Sequence, residues 1–436
     1  MSAATATNPA AAPCTRSALL PILAVGAFAI GTDTFVVAGV LPAVAHDLKS
    51  SFADVGWVST VFALAYGVLA PVLGAFTGRL ERRAVLIASL LGFAVFNAAS
   101  ALAPNLALLL VARVLTAASA SLYIPAAVAA AAATSAPERR GRAMAVVFGG
   151  IAAATVLGVP FGTWLSADIT WRATFWLLSG LGLLCAAAVT FGLPEVRLPA
   201  SPGLAARLAP ARDIRVLLTV VTTFLFMTGG YLVLTYIGGV LDPVTTGDGT
   251  TLALLLLAFG VAGVAGSTLG GRAVDKWGPY VVLLVAVAVM ALVLATIPTS
   301  REKTALAIAA MAVWGLAAMA TQPAQQHRMF GIAPASGPLL LSLNSSATFL
   351  GIAAGGFVGG QVLRHGGSDA LSKLGPIGAA LAVLAIVTAT VGSRLKAPRP
   401  ATPASATDTA NTPSPPSPPS TSASSPAPDQ VPTGRT

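Results

Sequence analysis

The sequence predicts an all-α polytopic membrane protein: twelve transmembrane helices in two pseudo-symmetric halves of six. Three observations carry this. Apolar residues make up 56% of the 436 and charged residues only 9%, too little charge to coat a soluble domain of this size. The apolar residues gather in runs of about 20, the length that crosses a bilayer as a helix. A loop pattern recurs at an offset of 197 residues, so the chain reads as a duplication.

The runs are cut by charged or Pro/Gly-rich joints, and in order they predict spans at 18–45, 55–77, 84–103, 106–133, 143–166 and 173–193. Past the polar break Pro194 to Arg215, the second six fall at 214–241, 251–270, 280–297, 305–326, 337–362 and 376–393. The first run follows Arg16 directly and is too long for a cleavable signal peptide. The predicted organisation is an N-terminal segment at 1–16, a six-helix half at 17–193, a linker at 194–213, a second half at 214–393, and a Pro/Ser/Thr-rich tail at 394–436 expected to be disordered. Cys14 and Cys185 provide no disulfide framework, and His46, His327 and His365 are scattered without metal-ligand spacing.

Orientation follows from lysine and arginine. With the N-terminus cytoplasmic, inner segments hold 18 of the 25 basic residues, outer loops hold six, and Arg113 lies within a span. Both termini are therefore expected in the cytoplasm of a bacterial cell, with the protein multi-pass in its inner or plasma membrane. The net charge of +10 reflects this topology. It is spread over seven segments and not gathered on one soluble face, so nucleic acid is not an expected partner.

The repeat carries the motifs. "GRAVDKWG" begins at Gly271 and "GAFTGRLERR" at Gly74. The former fits G-x-x-x-D-[RK]-x-G with Gly271, Asp275, Lys276 and Gly278. The latter keeps Gly74, Arg79, Arg82 and Arg83 but has Gly78 in place of the acid, leaving Glu81 as the nearby carboxylate. Span four carries "LLVARVLTAASAS" with Leu109 and Arg113. Span five carries "GGIAAATVLGVPFGTW" with Gly149, Gly158, Pro160 and Gly162, followed by "WRATFW". On these residues, over 17–393, the chain resembles the major facilitator superfamily. Within it, the resemblance is to the twelve-span drug:proton antiporters, bacterial chloramphenicol-resistance exporters above all. That resemblance implies alternating access, with the loop residues and the span-five Gly/Pro set acting as the conformational switch. Glycine and proline also allow a helix to bend and pack closely for purely structural reasons. Span eleven adds overlapping pairs Gly351/Gly355, Gly355/Gly359 and Gly356/Gly360, which permit sliding between helices.

Two charges lie within spans, Asp33 and Arg113. An aspartate at mid-helix costs roughly 2.5–3.5 kcal/mol to insert, so it needs a reason to be there. Burial favours the neutral acid and a neighbouring arginine favours the carboxylate, which suits a group that takes up and releases the transported proton. The competing reading is a fixed ion pair tying the first helix to the fourth. Candidate contacts for a drug-sized ligand are the mid-span aromatic and amide groups Phe35, Tyr66, Tyr123, Tyr231, Tyr236, Trp314, Gln322 and Asn344.

The expected activity is efflux of a small amphiphilic drug, chloramphenicol or a relative, in exchange for protons, conferring resistance. No cofactor is expected, since the proton gradient supplies the energy, and a monomer suffices. A metabolite exporter or passive facilitator of the same fold remains open. The chain lacks GxSxG, HExxH and Walker motifs, so an enzyme is not expected.

Overall fold

The computed structural model describes residues 16–196, 203, 205, 209–300, 302–332 and 337–395. Twelve helices within this set are long and apolar enough to span a membrane. They are numbered here α1 (Arg16–Asp47), α2 (Trp57–Phe76), α3 (Arg82–Ala101), α4 (Leu106–Ala133), α5 (140–168), α6 (Trp171–Gly192), α7 (Ile214–Leu234), α8 (Gly249–Trp277), α9 (Pro279–Ser300), α10 (Thr304–Ile332), α11 (Gly337–His365) and α12 (Ala370–Arg394). The expected tail and much of the expected linker lie outside the described residues. Short polar residues set several helix starts. Asn105, Thr170, Asp213 and Asp248 each accept a hydrogen bond from a backbone N–H of the first turn of α4, α6, α7 and α8.

Two helices depart from the expected continuous spans. The seventh span, expected to run to 241, ends as a helix at Leu234, and a short helix Ile237–Val240 follows. The break lets the chain pack close: a Cβ at Gly238 would run into Pro42, and one at Gly239 would crowd Phe52. In α5, residues Ala154–Gly158 form one turn of wider π-helix between two α segments. Pro160 has no N–H to donate back along the helix, which favours such a turn. It faces α1 on one side, where a Cβ at Gly158 would strike Thr32 Oγ1, and α8 on the other, where Gly260 abuts Thr155 and Val156.

The helices build two apolar cores. One draws its fully buried members from 19–196, including Phe62, Phe93, Tyr123 and Trp171. The other draws on 226–389, including Trp314 and Met290, plus Ala38 and Val159. Residues α1 to α6 and α7 to α12 therefore pack as two bodies sharing a seam. For description, the terminal face is the one where α1 begins and α12 ends, and the other is the opposite face.

The seam is closed from the opposite face to mid-depth. Asp54 and Arg364 pair across its rim, with Trp57 edge-on to Phe357 at 5.6 Å just inside. Tyr236 Oη donates to Gly356 O at 2.8 Å, and Gly56 leaves room for that hydroxyl. Thr60 lies on Gly356, and Ala63 packs with Ile352 and Ala353. At mid-helix Tyr66 stacks on Phe349, centroids 3.8 Å apart at 20°. On the other edge α5 meets α8 from Ala167 on Gly249 down to Thr155 on Gly260. Nearer the terminal face, Gly149 of α5 and Gly271 of α8 have open space where a Cβ would go.

Candidate functional site

Asp33 sits midway along α1 and Arg113 projects from α4, and the two meet. Arg113 Nη1 donates to Asp33 Oδ1 at 2.6 Å and Nη2 to the Asp33 carbonyl at 3.3 Å, with both side chains fully buried. The guanidinium carbon lies over two rings, Phe62 of α2 at 4.3 Å and Phe175 of α6 at 5.4 Å from the ring centroids. This is favourable placement for a cation over a negative ring face. The pair is not fully satisfied: Asp33 Oδ2 and Arg113 Nε are buried without hydrogen-bond partners. Thr34, next along α1, spends its hydroxyl on Ile30 O. Phe35 turns to the seam and packs against the core of the second half.

The eight expected ligand contacts separate into two sets. Tyr123, Tyr236 and Trp314 are fully enclosed. Tyr123 Oη donates to Leu23 O at 3.1 Å, bracing α4 on α1, Tyr236 spends its hydroxyl within the second half on Gly356 O of α11, with Gly56 of the first half lying against it, and Trp314 is edge-on to Phe259 at 5.5 Å. In this conformation those three are packing residues, because mid-span depth does not fix which side of a helix a ring occupies. Asn344 is also buried, its Oδ1 accepting from Thr223 at 2.7 Å. Phe35, Tyr66, Tyr231, and half-buried Gln322 are the remaining set. Tyr66, Tyr231 and Phe349 surround the Ala63, Ile352 and Ala353 contact at mid-depth.

A polar network that sequence reasoning missed lies in the second half. Gln325 Nε2 of α10 donates to Thr223 Oγ1 at 2.8 Å and to Thr219 O at 3.2 Å, both on α7. Arg328 donates from Nη1 to Gln325 Oε1 at 2.9 Å, and its other end reaches Ala389 O of α12. Arg328, beyond the expected end of the tenth span at 326, lies within α10, which continues to Ile332, and its guanidinium is spent between helices. A groove of about 510 Å³ opens at the terminal face, lined by Leu20, Thr134, Arg139, Arg142, Ala143 and Val146, and by none of the eight expected contacts.

The switch motifs are unevenly engaged. In the first half, Arg82 donates from Nη2 to Gly78 O at 3.0 Å, and Arg83 reaches Thr190 O of α6. Glu81, the nearby carboxylate, is engaged by backbone N–H groups. It caps α3 through the N–H groups of Arg83 and Ala84 and accepts from Val196 N at 3.0 Å, fastening the chain just past α6. Burial raises its pKa, but these backbone donors and Arg83 outweigh it and hold the carboxyl below the usual range. Arg79 is exposed. In the second half, Gly278 at φ +81° makes the one-residue joint from α8 to α9, and Lys276 lies over Trp277. Asp275 is exposed. In α5, Gly158 and Gly162 are buried against α1 and Pro160 is also buried, whereas Gly149 faces open space and the neighbouring Gly150 makes the close approach, against Ala24 O.

Comparison with known proteins agrees with this architecture. Residues 23–356 match the family model of the Major Facilitator Superfamily. The inner membrane transport protein YdhP of Escherichia coli O157:H7 is 32% identical over 365 residues, 84% of this chain and 94% of that protein. The uncharacterised transporter YbcL of Bacillus subtilis is 29% identical over 366 residues, covering 84% and 93%. A chloramphenicol resistance protein of Streptomyces lividans is 29% identical over 372 residues, also 84% and 93%. Among solved structures, an inward-facing, unoccupied bacterial homologue of the lysosomal transporter Spinster superposes with a TM-score of 0.73 at 17% identity, over 88% of this chain and 98% of that one. The nucleoside transporter NupG gives 0.71 at 14%, over 86% and 99%. With twelve apolar helices, two six-helix bodies and these relatives, the chain belongs to the Major Facilitator Superfamily, a multi-pass membrane transporter of bacterial type acting on small molecules.

Proposed function

We propose that this protein exports a small amphiphilic drug in exchange for a proton, with both termini cytoplasmic and the seam here open to the cytoplasm. The observation that carries the reading is the sealed Asp33–Arg113 pair with its unpartnered carboxylate oxygen. Leaving one buried oxygen unpaired costs about 1–3 kcal/mol. A purely structural ion pair gains nothing from that cost, whereas a carboxylate that takes up a proton needs a free oxygen to carry it. The chloramphenicol resistance protein of Streptomyces lividans makes chloramphenicol the first substrate to test. Half-buried Phe35, Tyr231 and Gln322, with buried Tyr66, are side chains of the kind that suits a mostly apolar ligand with a few polar groups. One charge crossing 100 mV releases about 2.3 kcal/mol, enough to concentrate a neutral drug well over tenfold.

The test is chloramphenicol uptake into inverted vesicles across a pH series. Asp33→Asn mimics the neutral acid, so gradient-driven accumulation is expected to fall to background while downhill exchange continues, at membrane abundance matching the parent. Full accumulation by Asp33→Asn would leave the pair as a fixed tie between α1 and α4, the second reading, which its short bond and complete burial favour.

A further inference from the structure

Neither charge of the Asp33–Arg113 pair reaches the seam. If Asp33 carries the proton, its state must be passed to the seam by contact. Two rings touch the guanidinium, and they lead to different places. Phe175 is edge-on to Trp171 at 5.8 Å, and Trp171 Nε1 donates to Asp47 at 2.9 Å. That route stays within the first half. Phe62 lies one helical turn from Tyr66 on α2, centroids 6.2 Å apart at 36°. Tyr66 in turn stacks on Phe349 of the second half. The route from the buried pair to the other half is therefore Arg113, Phe62, Tyr66, Phe349, with successive separations of 4.3, 6.2 and 3.8 Å to or between ring centroids.

We propose that Phe62 is a positioning residue that transmits the state of the Asp33–Arg113 pair to the Tyr66–Phe349 stack and so biases whether the seam is closed. The inference rests on the proton-coupling reading. With Asp33 ionised, the guanidinium is held at the carboxylate by a direct charge-assisted bond. With Asp33 neutral, its remaining attractions are the Asp33 carbonyl and the two rings, so it settles on Phe62. Phe62 is packed in the first core and transmits a shift instead of absorbing it. The next ring along is Tyr66, and a lateral slip of that ring weakens its stack on Phe349. Among the described residues, Arg113 is the charged side chain facing Asp33. At this level α2 presents Phe62, α6 presents Phe175, and α5 presents Gly158 to the adjoining Thr32.

The experiment measures the seam directly. Spin labels on cysteines at His46 and Thr250, exposed at the opposite face of the two halves, report their separation in lipid nanodiscs, in a Cys14→Ser background with Cys185 buried. The parent is expected to shift its distance distribution between pH 8.5 and pH 5.5. Phe62→Leu should lose that response while keeping chloramphenicol counterflow within about twofold of the parent, and Phe62→Trp, which restores a π face, should recover it. A Phe62→Leu protein that responds to pH as the parent does overturns the inference, provided Asp33→Asn abolishes the response. Loss of counterflow together with the response in both variants also overturns it, since that is damage to packing. A response that persists in Asp33→Asn overturns the coupling reading itself, and this inference with it.

Discussion

At the scale of single residues, the chain puts charge where the fold provides donors. Glu81 stands three residues after Gly78, where α3 begins beside it and three backbone N–H groups converge on its oxygens. A group whose folded pKa is depressed gives stability that is present above the unfolded value and lost as pH falls through the folded one. The window for Glu81 thus lies below 4.5, and the clasp is intact at neutral pH. Glu81→Ala should raise amide hydrogen exchange at Val196 at pH 7 by several-fold with little change in α9, and the difference from the parent should shrink toward pH 3. Equal protection in both proteins at pH 7 would show that the clasp holds nothing. Asp33 and Arg113 were legible from the sequence because an ion in an apolar run is conspicuous. Gln325 was not, since a neutral amide in such a run carries no such signal and its partner Thr223 is 102 positions away. Ring direction was equally hidden: Tyr66 and Tyr123 are both mid-span tyrosines, and only packing sends one to the seam and the other into a core.

At the scale of elements, hydropathy alone located all twelve helices, because a bilayer demands about 20 apolar residues at each crossing. It did not show where α7 breaks or where α5 widens, since both events leave the run apolar and depend on what approaches from the side. The glycines of α11 show the same division. Gly351, Gly355 and Gly359 lie within the second half against α7 and the chain just after it, at Met227, Thr228 and Tyr236, while Gly356 looks across the seam at Thr60 and Gly360 lies between Tyr236 of its own half and Ala53 of the other. The overlapping pairs are evident in the sequence, but their assignment to two different neighbours is not. The two faces predict different failures. Gly355→Leu drives a side chain into the backbone of α7 and should lower the thermal midpoint and the yield of folded protein. Gly356→Leu meets the Thr60 side chain of the other half, so it should fold, resist closure at the opposite face, and make a cysteine at Thr60 react faster with a thiol reagent. Equal loss of folded protein in both variants would contradict the division.

At the scale of the whole molecule, two cores meeting along a seam closed to mid-depth give a body that can rock about its middle. The closing contacts are of the kind that release readily: an exposed Asp54–Arg364 pair, worth about 0–1 kcal/mol, edge-on rings, and small residues. Which compartment this closed end faces is set by the distribution of basic residues, and the fold places them consistently with the count. Arg79, Arg82, Arg83, Arg139, Arg140 and Arg142 all sit at the terminal face, whereas Lys49, Arg172, Arg364 and Lys373 sit at the opposite one beside Asp47 and Asp54. Moving a lysine or arginine from the cytoplasmic to the outer side is opposed during insertion, and the excess at the terminal face is what supports the proposed cytoplasmic placement of that face. Thr245, in the connection after α7 at the opposite face, is buried and unsuited to a probe, whereas His46 and Thr250 are exposed at the same face. Single cysteines at His46 and Thr250 should therefore be labelled in intact cells by a membrane-impermeant maleimide, and a cysteine at Ser135, in the turn between α4 and α5, should be labelled only after the membrane is opened. Labelling of Ser135→Cys from outside, with protection of the other two, would invert the molecule: the closed end would then face the cytoplasm, and proton entry and drug release would exchange sides.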